Sequence, residues 1–90
     1  MSEWDRADFD RRISDLNRAI VRAFTIEGEV SAPPTVTAAL GRAFECFDDG
    51  DLAGAQHWIG IAETRVTEQA AARRADPEAW LLRVHAEPVQ

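Results

Sequence analysis

Phe47-Asp48-Asp49-Gly50-Asp51-Leu52-Ala53-Gly54-Ala55 decides the fold, because two apolar stripes of helical period meet there. Gly50 supplies a residue that enters the left-handed region cheaply and so ends a helix. Asp51 carries a short side-chain oxygen that can cap the next one. Upstream, Leu40, Ala43, Phe44 and Phe47 recur at spacings of three and four and predict the inner face of a helix over about 35–48, started by Pro34 or Thr35. Downstream, Leu52, Ala55, Ile59, Ala62 and Val66 do the same for a helix over about 52–72. Gly54 and Gly60 fall inside that helix, each costing about 1 kcal/mol against Ala. Arg73 and Arg74 at its end complement the helix dipole.

Working outward, Phe9, Ile13, Leu16, Ile20 and Phe24 predict a first helix over about 3–24 with one apolar stripe. Ser2 and Asp5 have the form of a capping box, and Asp8 and Arg12 stand one turn apart as an ion pair. Residues 25–34 read as a loop: Gly28 loosens it, Pro33-Pro34 cannot sit in a helix interior, and Glu27 and Glu29 make it acidic. Its length suits a crossover better than a tight turn. No period-two pattern marks a strand. Asp76-Pro77-Glu78 is a compact helix start, and Trp80, Leu81 and Val84 follow in a short helix over about 77–85, with Glu87 to Gln90 as a frayed tail. The expected architecture is all-α: one domain, residues 1–90, a bundle of three main helices plus a short C-terminal one. Its expected buried residues are Phe9, Ile13, Leu16, Ile20, Leu40, Phe44, Phe47, Leu52, Ile59 and Val66.

Sixteen acidic against ten basic residues give a net charge of −6, which repels phosphate backbones and suits a basic partner better. All the basic residues are Arg, which, beside so much Ala, reflects base composition more than recognition. Cys46 is the only cysteine, so no internal disulfide forms and a reducing compartment fits. The charged start Met1-Ser2-Glu3-Trp4-Asp5-Arg6 lacks the apolar stretch of a signal peptide, and no apolar run is long enough to span a bilayer. These features make the cytoplasm the expected location.

Ala43, Phe47, Gly50, Asp51, Leu52, Ala55 and Ala62 stand at the spacing of a tetratricopeptide hairpin, in which small residues let two antiparallel helices nest around a Gly-Asp turn. Residues 43–62, about a quarter of the chain, resemble that family. The family's proline would fall near Thr67, whereas this chain has Pro77, and no neighbouring repeat is present. A generic helical hairpin has the same small residues. The resemblance implies protein binding rather than catalysis.

Glu45, Asp48, Asp49 and Asp51 form an acidic turn. Their spacing is not that of a calcium loop, which wants acids at alternate positions, and helix capping accounts for them. Cys46, His57 and His85 are scattered without paired ligand spacing, so no metal site is expected. No phosphate-binding glycine loop or nucleophile elbow is present, and no catalytic residue or cofactor is expected. Direct nucleic-acid binding by the second and third helices is disfavoured, since acids surround their turn and no basic residue follows on the third helix until Arg65.

The third helix carries a second strip: Trp58 and Ile61 lie roughly 80° and 140° from its main stripe. Gly54 shares the strip, Arg65 follows one turn after Ile61, and Trp4, off the first stripe, can join. Two readings stand. Either the fourth helix covers the strip, Trp80 against Trp58, or the strip is a partner or dimer face, for which Trp and Arg are typical anchors. The functional expectation is a non-enzymatic protein-interaction module: a small adaptor, chaperone or regulatory subunit, as a homodimer. The alternative is a small acidic inhibitor, phage-encoded examples included, that blocks a nucleic-acid-binding partner by imitating phosphate charge.

Overall fold

A computed structural model describes residues 4–84. The chain forms α1 (Arg6–Phe24), β1 (Thr25–Ile26), β2 (Glu29–Val30), α2 (Pro34–Asp48), α3 (Leu52–Ala75) and α4 (Pro77–Val84). The all-α class holds, with a small ribbon added. Ser2, His85 and the C-terminal tail lie outside the described residues.

The start of α1 differs from expectation. Asp5 caps the helix: its carboxylate accepts from the Asp8 N–H, and the Asp8 carboxylate accepts from the Asp5 N–H, both at 3.1 Å. The reciprocal box therefore lies three residues later than the Ser2–Asp5 pair suggested. Turned back toward the N-terminus, Asp8 takes Arg11 as its cation at 2.7 Å rather than Arg12. Arg12 instead crosses to Glu63 of α3, also at 2.7 Å.

The expected crossover loop is a hairpin. Thr25 pairs with Val30 and Ile26 with Glu29 in an antiparallel ribbon. Between them Glu27 (φ 51°) and Gly28 (φ 84°) both adopt left-handed backbone, the requirement of a two-residue turn that matches strand twist. Strands of two residues are too short to display alternation, and Glu is not the Asn or Asp that advertises such a turn. The Ser31 N–H donates to the Phe24 carbonyl at 2.8 Å and ties the ribbon to the end of α1.

The ribbon sends α2 back antiparallel to α1, and the Gly50 turn sends α3 back antiparallel to α2. Gly50 takes φ 80°, and the Asp51 carboxylate accepts from the Gly54 N–H at 2.9 Å, capping α3 as expected. Within this hairpin the inner face of α2 is rotated from the expected one. Val36, Ala39 and Ala43 are fully buried, Leu40 and Phe47 are half-buried, and Phe44 is 45% exposed. Close approach of α2 to α3 selects the small side chains for the seam, where they meet Ala55 and Ala62, and displaces the large ones to its flanks. Leu52, expected in the core, is half-buried at the first position of α3.

Two connected cores result. Phe9, Ile13, Ala43, Ala55 and Ile59 fill one end. Phe9 stacks flat on Phe47 (centroids 4.3 Å apart) and meets Phe44 edge-on at 5.3 Å. Leu16, Ile20, Phe24, Val36, Ala39, Ala62, Val66, Trp80 and Val84 fill the other. Burial of each large side chain contributes about 1.5–3 kcal/mol. The body is elongated, 46 × 23 × 19 Å.

The last turns of α3 and α4 close the second core. α3 runs three residues beyond the expected end, to Ala75, and Arg73 explains why the extra turn holds. Its guanidinium donates to the carbonyls of Ala23 and Thr25 and lies over the Trp80 ring at 5.7 Å. Asp76 then caps α4 through the Ala79 N–H at 3.1 Å. Trp80 stacks on Phe24, centroids 5.7 Å apart, and its indole N–H donates to the Gln69 side chain at 2.7 Å. No helix among the described residues is long and apolar enough to cross a membrane.

Candidate partner surfaces

The residues expected to form one strip are divided by the fold. Trp4 is half-buried against the first core, edge-on to Phe9 at 5.8 Å and to Phe47 at 6.2 Å. Gly54 has no room to offer a partner. A Cβ there would meet the Asp51 carboxyl carbon at 2.7 Å and Cys46 Sγ at 3.0 Å. Its missing side chain serves the cap of its own helix. Trp58 is half-buried and packs against both cores. Of the two readings of the strip, the one that sets Trp80 against Trp58 is not what the rings do: Trp80 stacks on Phe24.

Ile61 and Arg65 stay at the surface of α3, though each has one side engaged. Ile61 is half-buried against the second core. The Arg65 guanidinium donates to the Thr35 carbonyl at 2.8 Å, bracing the start of α2. Together with Gln56, His57, Thr64 and Glu68 they wall a shallow groove of about 530 Å³ on the outer face of α3. Gly60 lies in that groove, and among the described residues outside its own helix backbone nothing comes within 4 Å of where its Cβ would stand. Sequence reading passed over Gly60 as a mere helix defect. An uncapped glycine in mid-helix was the available signal.

The acidic turn is occupied with chain reversal. Asp51 caps α3, and the Asp49 N–H donates to the Glu45 carbonyl at 3.1 Å at the end of α2. Glu45 stands 3.9 Å from Arg42, and Asp48 is exposed. Burial pushes the Cys46 thiol up, and the charges of Asp51, Asp49 and Glu45 push it the same way. That is the opposite of what activates a nucleophilic cysteine. At the start of α1, the Asp5 N–H it accepts holds the Asp8 carboxyl below its usual range, with help from Arg11. Among the described residues no group of three or more His, Cys, Asp and Glu side chains is placed to hold a metal ion.

Large apolar side chains also reach solvent away from α3. Val21, Val30 and Leu81 are about half exposed and Leu82 is 81% exposed, so α4 is apolar outward as well as inward. A further cleft follows the seam of α1 and α3, between Arg22 and Arg74. No family model, no curated protein and no solved structure matches the chain.

Proposed function

We propose that the chain is a non-enzymatic protein-interaction module, a small adaptor, chaperone or regulatory subunit, that pairs with a second copy through the outer face of α3. The observation that carries this reading is the groove at Gly60. Glycine in a helix interior costs about 1 kcal/mol, and no neighbour among the described residues requires it here. A second helix lying across α3 does require it, since only a residue without Cβ lets two backbones approach that closely. Ile61 beside it supplies apolar area, while Arg65 and Glu68 supply a polar rim. The likeness of residues 43–62 to a tetratricopeptide hairpin points the same way, toward protein binding.

The charge-mimic reading needs a run of unpaired acids on one face. On α1, Asp8, Asp10 and Asp15 are each paired with an arginine, Arg11, Arg6 and Arg18, which argues against it. Sedimentation equilibrium tests the proposal. The wild type is expected to be a dimer at micromolar concentration and Ile61→Asp a folded monomer. A wild type that stays monomeric at high micromolar concentration overturns it.

A further inference from the structure

We infer that the cleft along the α1–α3 seam is a second binding site, on a different face from the α3 groove, and that its occupant is an acidic peptide segment of a partner protein. Two overlapping lobes of about 390 and 330 Å³ make up the cleft. Its floor is small and apolar, Ala19, Ala23, Val66 and Ala70, and its walls carry Arg22 on α1 and Arg74 on α3. Both arginines are exposed.

The arginine inventory gives this cleft its meaning. Arg6, Arg11, Arg12, Arg18 and Arg42 each stand against a carboxylate. Arg65 and Arg73 are bound to backbone carbonyls, and Arg83 has an interaction of its own. Among the described residues, Arg22 and Arg74 alone lack an ion pair or a hydrogen bond, and both line this cleft. In a chain of net charge −6, two guanidiniums without partners facing one apolar floor form a local cationic site against the general charge.

Guanidinium binds carboxylate through two parallel hydrogen bonds, and an alanine floor accepts small apolar side chains between such anchors. A segment with two acids flanking small apolar residues therefore fits. A nucleic acid fits poorly, because a polyphosphate must also lie along the acidic remainder of the surface.

A random twelve-residue peptide library, panned on the wild type and on the Arg22→Gln/Arg74→Gln double variant, tests the assignment. Both positions are exposed, and circular dichroism checks that the variant is folded. The wild type is expected to enrich peptides with two or more Asp or Glu around small apolar residues, and the variant to lose them. An enriched peptide, resynthesised, should bind the double variant about tenfold more weakly or worse, and should perturb the Ala23 and Ala70 amide resonances of the wild type. Failure to enrich, enrichment of acid-poor sequences, equal enrichment on both proteins, or displacement of the peptide by millimolar phosphate each overturns the assignment. So does tighter binding by a dodecathymidine. None of these outcomes bears on dimerisation, which sedimentation reads separately.

Discussion

Trp80→Ala should undo the far end of the molecule. Trp80 is 1% exposed, stacks on Phe24, lies under the Arg73 guanidinium and donates its indole N–H to Gln69. Truncation removes the largest fully buried side chain in the fold and leaves a cavity between α1, α3 and α4. Such changes cost about 3–5 kcal/mol. That is a large part of the roughly 5–15 kcal/mol that holds a domain together, and a small domain sits low in that range. Trp80→Phe separates the contributions. It keeps an aromatic face for Phe24 and Arg73 but loses the hydrogen bond, worth about 1 kcal/mol, and part of the buried area, so a loss of roughly 1–2 kcal/mol is expected. Urea unfolding followed by circular dichroism measures both. A Trp80→Ala cost under about 1 kcal/mol, the scale of an ordinary surface change, refutes the packing of α4 described above. Equal losses in the two variants would refute the aromatic stack as its source.

Three further outcomes follow from the geometry. Gly54→Ala should gain nothing in melting temperature, because its new methyl displaces the Asp51 cap, worth about 0.5–2 kcal/mol; Gly41→Ala, in open space, should gain about 1 kcal/mol of helix propensity, and equal gains would contradict the cap assignment. Asp8 has a folded pKa held below its unfolded value, so its stabilisation is present above the unfolded pKa and is lost as pH falls through the folded one. Asp8→Asn should thus lower the urea midpoint at pH 7, and the gap to wild type should close as the pH falls through the folded pKa of Asp8; a gap independent of pH contradicts the capping box. A chelator should leave the melting temperature of the dialysed protein unchanged, and a fall would reopen Glu45, Asp48, Asp49 and Asp51 as ligands.

The fold was legible wherever periodicity was long. The stripe Phe9, Ile13, Leu16, Ile20 and Phe24 is buried along its whole length, and so are Ala55, Ile59, Ala62 and Val66. Local chemistry was legible too: Gly50 takes the left-handed turn, and Asp51 and Asp76 cap the helices after them. What stayed hidden depends on neighbours distant in sequence. The face of α2 turned on whether α3 comes close, and close approach favoured Ala39 and Ala43 over Phe44. Trp80 found Phe24, a partner 56 positions away, rather than Trp58. The ribbon escaped because a two-residue strand has no period to read.

The surfaces were less legible than the core for the same reason. Trp58 lies off the main stripe of α3 in sequence, and the fold packs it half-buried against both cores. Gly54 and Gly60 look alike in sequence, and only the space around each separates a cap-fitting glycine from an open one. Arg22 and Arg74 lie 52 positions apart and acquire a shared role only through the α1–α3 seam.

The central claim, pairing across the outer face of α3, is tested most directly by Gly60→Gln. A side chain at Gly60 meets nothing among the described residues, so the variant monomer should be more stable than the wild-type monomer by the helix propensity gained, a few tenths to about 1 kcal/mol. Between two crossed helices the same side chain blocks close approach. Sedimentation equilibrium should therefore show a dimeric wild type and a monomeric Gly60→Gln protein with an intact helical spectrum. A Gly60→Gln protein that dimerises as tightly as wild type would contradict the claim.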